Sequence, residues 1–474
     1  LKEKLKDFTA FTRQLFPHEL AYLRGVARFE DKDNRLIFKR ICENKEGKHP
    51  FQPYDLSIDK RKYSRLKKWI QKKLSDIDVD LEYDWITRME RQIMQDDIDP
   101  KEEKAILRSL QPPYRPTYYF IKLYELARHF RQYLLIRMRR DAYEKVQTFL
   151  EVQAQAYHRS LSVYEEIHKA TVDITNQYSL NNTESQQWEE SLRQFFYDEE
   201  LDGMNRYLAA VRLNFIYLNY REYDKLRHIL EGQDRLFCQG ICYSRRILAN
   251  YYSNRLLLHS LLGQLDPAIH YGYLSIQSKN SDYLHYVNNL CSVLLRKGMK
   301  EEALHLMRQA LPEVKQSPNT HARVAFATFY IRCLNQNKLL SEGQRYGELF
   351  LRGYKDQVFS QHWHSFFTAY LQNLLAQQRY DLMVKVSNKY KLLRREEVYK
   401  QRPGYIPTLN WYIYMASYKE GMVSSQRLMQ ELVDSGKKAH MSFEKSRLLL
   451  RDLIEELRPH LPDTLELIQE RVYS

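Results

Sequence analysis

Residues 297–312 read KGMKEEALHLMRQALP. Ala303, Met307 and Ala310 fall on one face of a helix, two small residues bracketing a large one, and Pro312 closes the unit. Just upstream, from Tyr283, the residues Val287, Leu290, Cys291 and Leu294 have the matching helical spacing. Small side chains alternating with large ones let two helices approach closely. The stretch from Tyr283 to Pro312 therefore predicts one antiparallel helix pair.

The pattern recurs on both sides. LLGQLDPAIHYGYLSI, residues 261–276, puts Ala268 where Ala303 sits, 35 residues earlier. Gly343 and Met383 follow at intervals of 40, in NKLLSEGQRYGELFL and QQRYDLMVKVSNKY. This resembles the tetratricopeptide repeat, with a nominal period of about 34 residues. The step from Ala268 to Ala303 is near that register. The later steps are longer and their small residues are replaced, so the resemblance is to a degenerate array. It implies an α-solenoid of antiparallel helix pairs over residues 185–474. Further pairs are expected at 201–231 and 406–434. A helix from His440 to Leu457 and another from about Thr464 are expected to cap the stack, with Glu455, Glu456, Glu466, Glu470 and Arg471 as its polar end.

Upstream of the array, residues 1–111 read as a small helical module whose short helices allow a helix-turn-helix-like arrangement, with no recognition-helix pattern for base readout. Phe8, Phe11 and Leu15 share helical spacing up to Pro17. Further helices are expected over His18–Phe29 and Asn34–Glu43. Asp59 is placed to cap a basic helix from Lys60 to Leu74, and Asp99-Pro100-Lys101-Glu102 is a second helix start. Pro112, Pro113 and Pro116 mark a boundary. Residues 112–184 then hold two long connecting helices, near 118–137 and 140–178, ending in the polar loop SLNNTES. The order of a module with a KYSRLKKWI helix before a degenerate helical array also resembles a family of uncharacterised bacterial proteins. That resemblance implies no activity.

The composition agrees with an all-α chain. The 474 residues include 14 Gly and 14 Pro, too few for the turns of a sheet-rich fold. Hydrophobic residues make up 43% and charged residues 28%, which excludes a disordered chain. No apolar run approaches the ~18 residues of a membrane span. The chain opens on Leu1 rather than Met, so nothing follows about a targeting segment upstream. Five Cys form a sparse, odd set, which predicts a reducing, cytoplasmic setting. The net charge of +14 favours an acidic partner. The 37 Tyr suit helix seams and binding grooves alike.

The most pointed feature is the basic helix. Lys60, Arg61, Lys62, Arg65, Lys67, Lys68, Lys72 and Lys73 are eight cations within 14 residues, with no acid among them. Tyr63, Leu66, Ile70 and Leu74 give it an apolar stripe, with Trp69 beside it. The cations either meet an acidic partner such as nucleic acid or are balanced by Asp76, Asp78, Asp80 and Asp84. Those acids have the spacing of a calcium loop at its start. Leu81 and Thr87 stand where the turn glycine and the bidentate glutamate belong, so no calcium site is expected.

Other candidates reduce to packing. The pairs Glu165/His168 and Glu302/His305 match one element of di-metal bundles, without the further Glu residues such sites need. Cys238 and Cys242 are four apart with no second ligand pair near them in sequence. His362 and His364 point in different directions on a helix. No phosphate loop, dinucleotide fingerprint, zinc-protease or nucleophile-elbow motif occurs, so no catalytic site, cofactor or metal is expected.

The leading expectation is a non-enzymatic scaffold that binds a protein or peptide in the curve of its array. Exposed Tyr252, Arg255 and His259 in one unit, and Tyr283 and Asn288 in the next, are the expected contacts. The alternative is a nucleic-acid-binding regulator that uses the basic helix, with the array as sensor. Such an order is similar to bacterial regulators that join a helix-turn-helix to a tetratricopeptide array. The cations decide between the two. One exposed face favours the regulator, and pairing with Asp76–Asp84 disfavours it.

Overall fold

Aspartate and proline set the helix starts of the N-terminal region. In a computed structural model the Asp59 carboxylate accepts from the Arg61 amide, and that of Asp99 from the amides of Lys101 and Glu102. The structure describes residues 5–46, 50–114, 116–180, 184–401, 405–440, 444–461, 466, 468, 471 and 472. The fold is all-α: among the described residues every regular element is helical and no strand occurs. They divide into two compact units, residues 1–278 and 279–474.

The first unit begins with α1 (Lys6–Arg13), α2 (Pro17–Val26), α3 (Lys32–Glu46) and α4 (Lys60–Ser75). Pro17 opens α2, where its missing amide costs nothing. Next come α5 (Val79–Met94) and α6 (Pro100–Ser109), then the long pair α7 (Phe120–Ile136) and α8 (Arg140–Leu180). The last two lie within a few residues of the spans expected from periodicity. After α9 (Glu189–Tyr197) the chain runs in pairs, α10 (Gly203–Asn219) with α11 (Tyr223–Cys238) and α12 (Arg245–Leu261) with α13 (Leu265–Ser275). The boundaries expected at 111/112 and 184/185 fall inside this unit, where α2 packs against α11. Part of the expected SLNNTES loop lies outside the described residues.

The second unit continues the pairing. It holds α14 (Tyr283–Arg296), α15 (Lys300–Gln316), α16 (Thr320–Gln336), α17 (Leu340–Ser360), α18 (Trp363–Ala376) and α19 (Tyr380–Tyr390). Then follow α20 (Leu392–Tyr399), α21 (Thr408–Lys419), α22 (Ser425–His440) and α23 (Glu444–Leu457). Each first helix packs on its own partner and on the next first helix: α14 on α16, α16 on α18, α18 on α21. Pro312 does not close its unit as expected. It sits inside the final turns of α15, which runs on to Gln316. The expected last helix, from about Thr464, falls largely outside the described residues.

Among the described residues one turn joins the helices of six pairs from α10 onward, and it recurs at Met138 between α7 and α8. Arg221, Gly263, Gly298, Lys338, Gln378 and Gly421 all have φ between 56° and 81°. The residue after each donates its amide five residues back, for example Met299 to Leu294 and Leu339 to Leu334. The left-handed residue itself donates three back, as Gly298 does to Leu295 and Lys338 to Asn335. These are Schellman turns, which satisfy the carbonyls left open at a helix end. Five residues after four of these turns stand Ala268, Ala303, Gly343 and Met383, the positions aligned from sequence, and the Ala and Met side chains are fully buried. At Gly343 a Cβ would lie 2.6 Å from the Asn373 amide nitrogen, so close packing requires glycine there.

Candidate functional site

The basic helix α4 is built as the sequence predicts. Tyr63, Leu66, Ile70 and Leu74 are buried on one face. Arg61, Arg65, Lys68 and Lys72 are exposed on the opposite face, spaced four, three and four residues apart, which stacks them in a single stripe. The remaining cations flank it. Lys60 is exposed and Lys73 half-buried. Lys62 lies 2.7 Å from both Asp31 and Asp33, and these bonds raise its pKa while lowering that of Asp31. Lys67 sits 5.1 Å over the Phe11 ring, and Trp69 packs edge-on against Phe29.

The acidic stretch does not neutralise this face. Asp78 caps α5 by accepting from the Asp80 amide, and Asp80 pairs with Arg246 at 2.7 Å. Among the described residues no ion pair joins Asp76–Asp84 to α4. The first 75 residues carry twice as many Lys and Arg as Asp and Glu. Much of the net charge of +14 therefore resides in this module. Beside Trp69, Arg28, Arg35 and Lys39 line a surface cleft of about 790 Å³ together with Glu30, Glu43, Phe29 and Phe38.

The expected partner-binding residues are less exposed than the sequence suggests. Tyr252 is fully buried, and Asn288 and Tyr283 are nearly so. The cause is the stacking of first helices, which covers two sides of each. The Asn288 side chain donates to the Ala322 carbonyl at 3.0 Å and is a seam residue, not a groove residue. Tyr283 carries Lys279 over its ring at 5.7 Å. Arg255 and His259 are half-buried and converge on Tyr271. Arg255 donates to its hydroxyl at 3.2 Å, and His259 stacks on its ring at 5.3 Å.

Tyr252 belongs to a buried polar network that local sequence does not reveal. Its hydroxyl lies 2.8 Å from His18 Nδ1, and His18 Nε2 lies 2.8 Å from Asp234 Oδ1. The His18 bond holds the Asp234 carboxyl below its ordinary range. Next to it, the fully buried Glu19 accepts from Tyr243 at 2.6 Å, from Arg245 at 2.9 Å and from the Phe16 amide at 2.8 Å. Residues of α2 thus clamp α11 and α12 from more than 200 positions away in sequence.

Two further clefts carry polar groups. In the first unit a cleft of about 1030 Å³ holds Glu82, whose carboxyl burial pushes up to about 7. It also holds Cys242, whose thiol burial pushes up to about 12, so that residue is a packing group. In the second unit a cleft of about 570 Å³ lies among α16, α18, α21 and α23. There the Glu456 carboxylate accepts from Gln372 at 2.6 Å and from Tyr412 at 2.7 Å, with Arg332 beside them. Compared with known proteins, the chain matches no family model, no curated protein and no solved structure.

The remaining sequence candidates scatter. His305 is held by Gln309 at 2.8 Å, and His364 by Glu396 at 3.2 Å. His362 meets His321 instead, ring centres 4.0 Å apart, and burial depresses its pKa to about 4. The Cys242 thiol donates to the Gly203 carbonyl at 3.7 Å and packs in the core. No helix among the described residues is long and apolar enough to cross a membrane.

Proposed function

We propose that this is a non-enzymatic, nucleic-acid-binding protein on a tetratricopeptide-like frame, with α4 as the face that meets the phosphate backbone. The stripe of Arg61, Arg65, Lys68 and Lys72 carries the proposal: four exposed cations in line, with no acid paired to them among the described residues. Regularly spaced cations on a rigid helix neutralise successive phosphates and release their counterions, which drives binding without base readout. The neighbouring cleft adds Arg24, Arg28, Arg35 and Lys39, with Glu30 and Glu43 among them and Lys39 paired to Glu43.

A second function, scaffolding of a protein or peptide partner, is favoured by the second unit. Its first helices α16, α18 and α21 line one cleft with Arg332, Gln336, Thr368 and Gln372, together with Asp452 and Glu456 of α23. Side chains of this kind, with groups of both signs, suit an extended or helical peptide of mixed charge. The repeated turn and the position five residues beyond it support the repeat character of the frame.

Isolating the protein from its own cells with and without nuclease separates the two. Loss of its associations after nuclease supports α4 as the primary interface. Defined protein partners that persist would make the cleft of the second unit the place to map contacts.

A further inference from the structure

The sequence pairs Cys238 with Cys242, but the fold pairs it with other groups. α11 carries Asp234 and Cys238 four residues apart, one turn of helix, on the same face. Against that face α2 sets His18. One ligand atom from each of the three side chains, an imidazole nitrogen, a carboxylate oxygen and the sulfur, all lie within 4.8 Å of one another.

The surroundings suit a metal ion. Zinc binds Cys, His and Asp at about 2.0–2.3 Å in a tetrahedron, which sets neighbouring ligand atoms roughly 3.5 Å apart. To reach that spacing the widest of the separations must close by roughly 1.3 Å at most, and the 2.8 Å contact between His18 Nε2 and Asp234 Oδ1 must open by about 0.7 Å to admit the ion. His18 is already oriented from behind. The Tyr252 hydroxyl oxygen, 2.8 Å from Nδ1, can accept a hydrogen bond from Nδ1–H and leave the Nε2 lone pair for the ion. The Tyr251 hydroxyl donates to Asp234 Oδ1 at 3.0 Å and fixes that carboxylate. The rings of Phe237 and Tyr251 stand edge-on to the imidazole, at 5.8 and 5.2 Å, and wall the site on the core side. The Asp234 side chain is 45% exposed, so solvent reaches the opposite side. The arrangement is not a nucleophilic triad, because Asp234 and Tyr252 occupy the two imidazole nitrogens and the thiol is bonded to neither.

We propose that His18, Asp234 and Cys238 form a zinc site, with water as the fourth ligand. On binding the ion takes the His18 Nε2 lone pair, the imidazole keeps one proton on Nδ1, and the proton displaced from between Nε2 and Asp234 leaves to solvent or to Nδ1, while the Cys238 thiol gives up its proton to solvent. The site would tie α2 to α11, and it does not depend on the nucleic-acid proposal.

The test uses the full chain, stripped with a chelator, then titrated with Zn2+ alone by calorimetry and with Co2+ by absorbance. The expected result is one ion per chain, a raised Tm, and the thiolate-to-cobalt charge-transfer band. Cys238→Ala should abolish the band and weaken Zn2+ binding at least about tenfold, with the metal-free Tm unchanged. Asp234→Asn serves if that variant does not fold, and should weaken Zn2+ binding to the same degree. The proposal is overturned if wild-type protein gives no stoichiometric binding, or if the band and the affinity survive these substitutions.

Discussion

Lys338 and Gly298 hold the same left-handed turn, with φ of 58° and 81°, at the ends of α16 and α14. A side chain there costs roughly 1–2 kcal/mol that glycine avoids. Lys338 is exposed, so its replacement loses no packing. Lys338→Gly should stabilise the protein by about 1 kcal/mol, and Gly298→Ala should destabilise it by a similar amount. A Cβ on Gly298 would meet nothing within 4 Å, so the second effect is purely conformational. Urea denaturation of both variants checks the pair. Equal and unchanged midpoints would contradict the assignment of the two turns as equivalent.

Those turns also explain what sequence could and could not reveal. Ala268, Ala303, Gly343 and Met383 align correctly because each lies five residues past a turn. The turns themselves are hidden, since half of them carry Arg221, Lys338 or Gln378 where a glycine would announce the bend. Helix starts at Asp59 and Asp99 were legible because capping is local chemistry. The exposure of Tyr252 and Asn288 was not, because periodicity marks which residues share a helix face and not which faces another helix covers. Glu19 and His18 gave no signal at all, their partners being far away in the chain.

Glu19 anchors α2 through a fully desolvated carboxylate. Removing one member of a buried charged pair leaves the other without its partner and costs roughly 3–5 kcal/mol. Arg245 keeps some access to water, which places Glu19→Ala at the lower end, about 3 kcal/mol. Chemical denaturation monitored by circular dichroism measures it. A loss under about 1 kcal/mol would mean that α2 is held by apolar contacts alone.

Two groups set opposite pH responses. The Glu82 carboxyl is raised by burial from 4.5 to about 7, so the native state holds its proton longer than the unfolded chain. Its contribution is full below pH 4.5 and is lost as pH rises towards 7. Glu82→Gln should therefore match wild type at pH 4 and exceed it at pH 8 by roughly 3 kcal/mol. His362 is depressed by burial, then by His321, from 6.5 to about 4, so the unfolded chain takes its proton first. Stability is lost as pH falls from 6.5 towards 4, and His362→Asn should blunt that loss. Thermal melts across pH 4–8 read both. A Glu82→Gln curve parallel to wild type would contradict the first, and an undiminished acid loss in His362→Asn the second.

The central claim is that α4 binds nucleic acid through its outward stripe. Its most direct test is the salt dependence of binding to a labelled oligonucleotide, read by fluorescence anisotropy. Wild-type protein should bind with an affinity that falls steeply with salt. A variant with Arg61, Arg65, Lys68 and Lys72 all changed to Gln should keep its fold, because all four are exposed. Losing four phosphate contacts should reduce the slope of log K against log salt by about 3–4. An unchanged slope in the variant, or no binding by the wild type at low salt, would contradict the account.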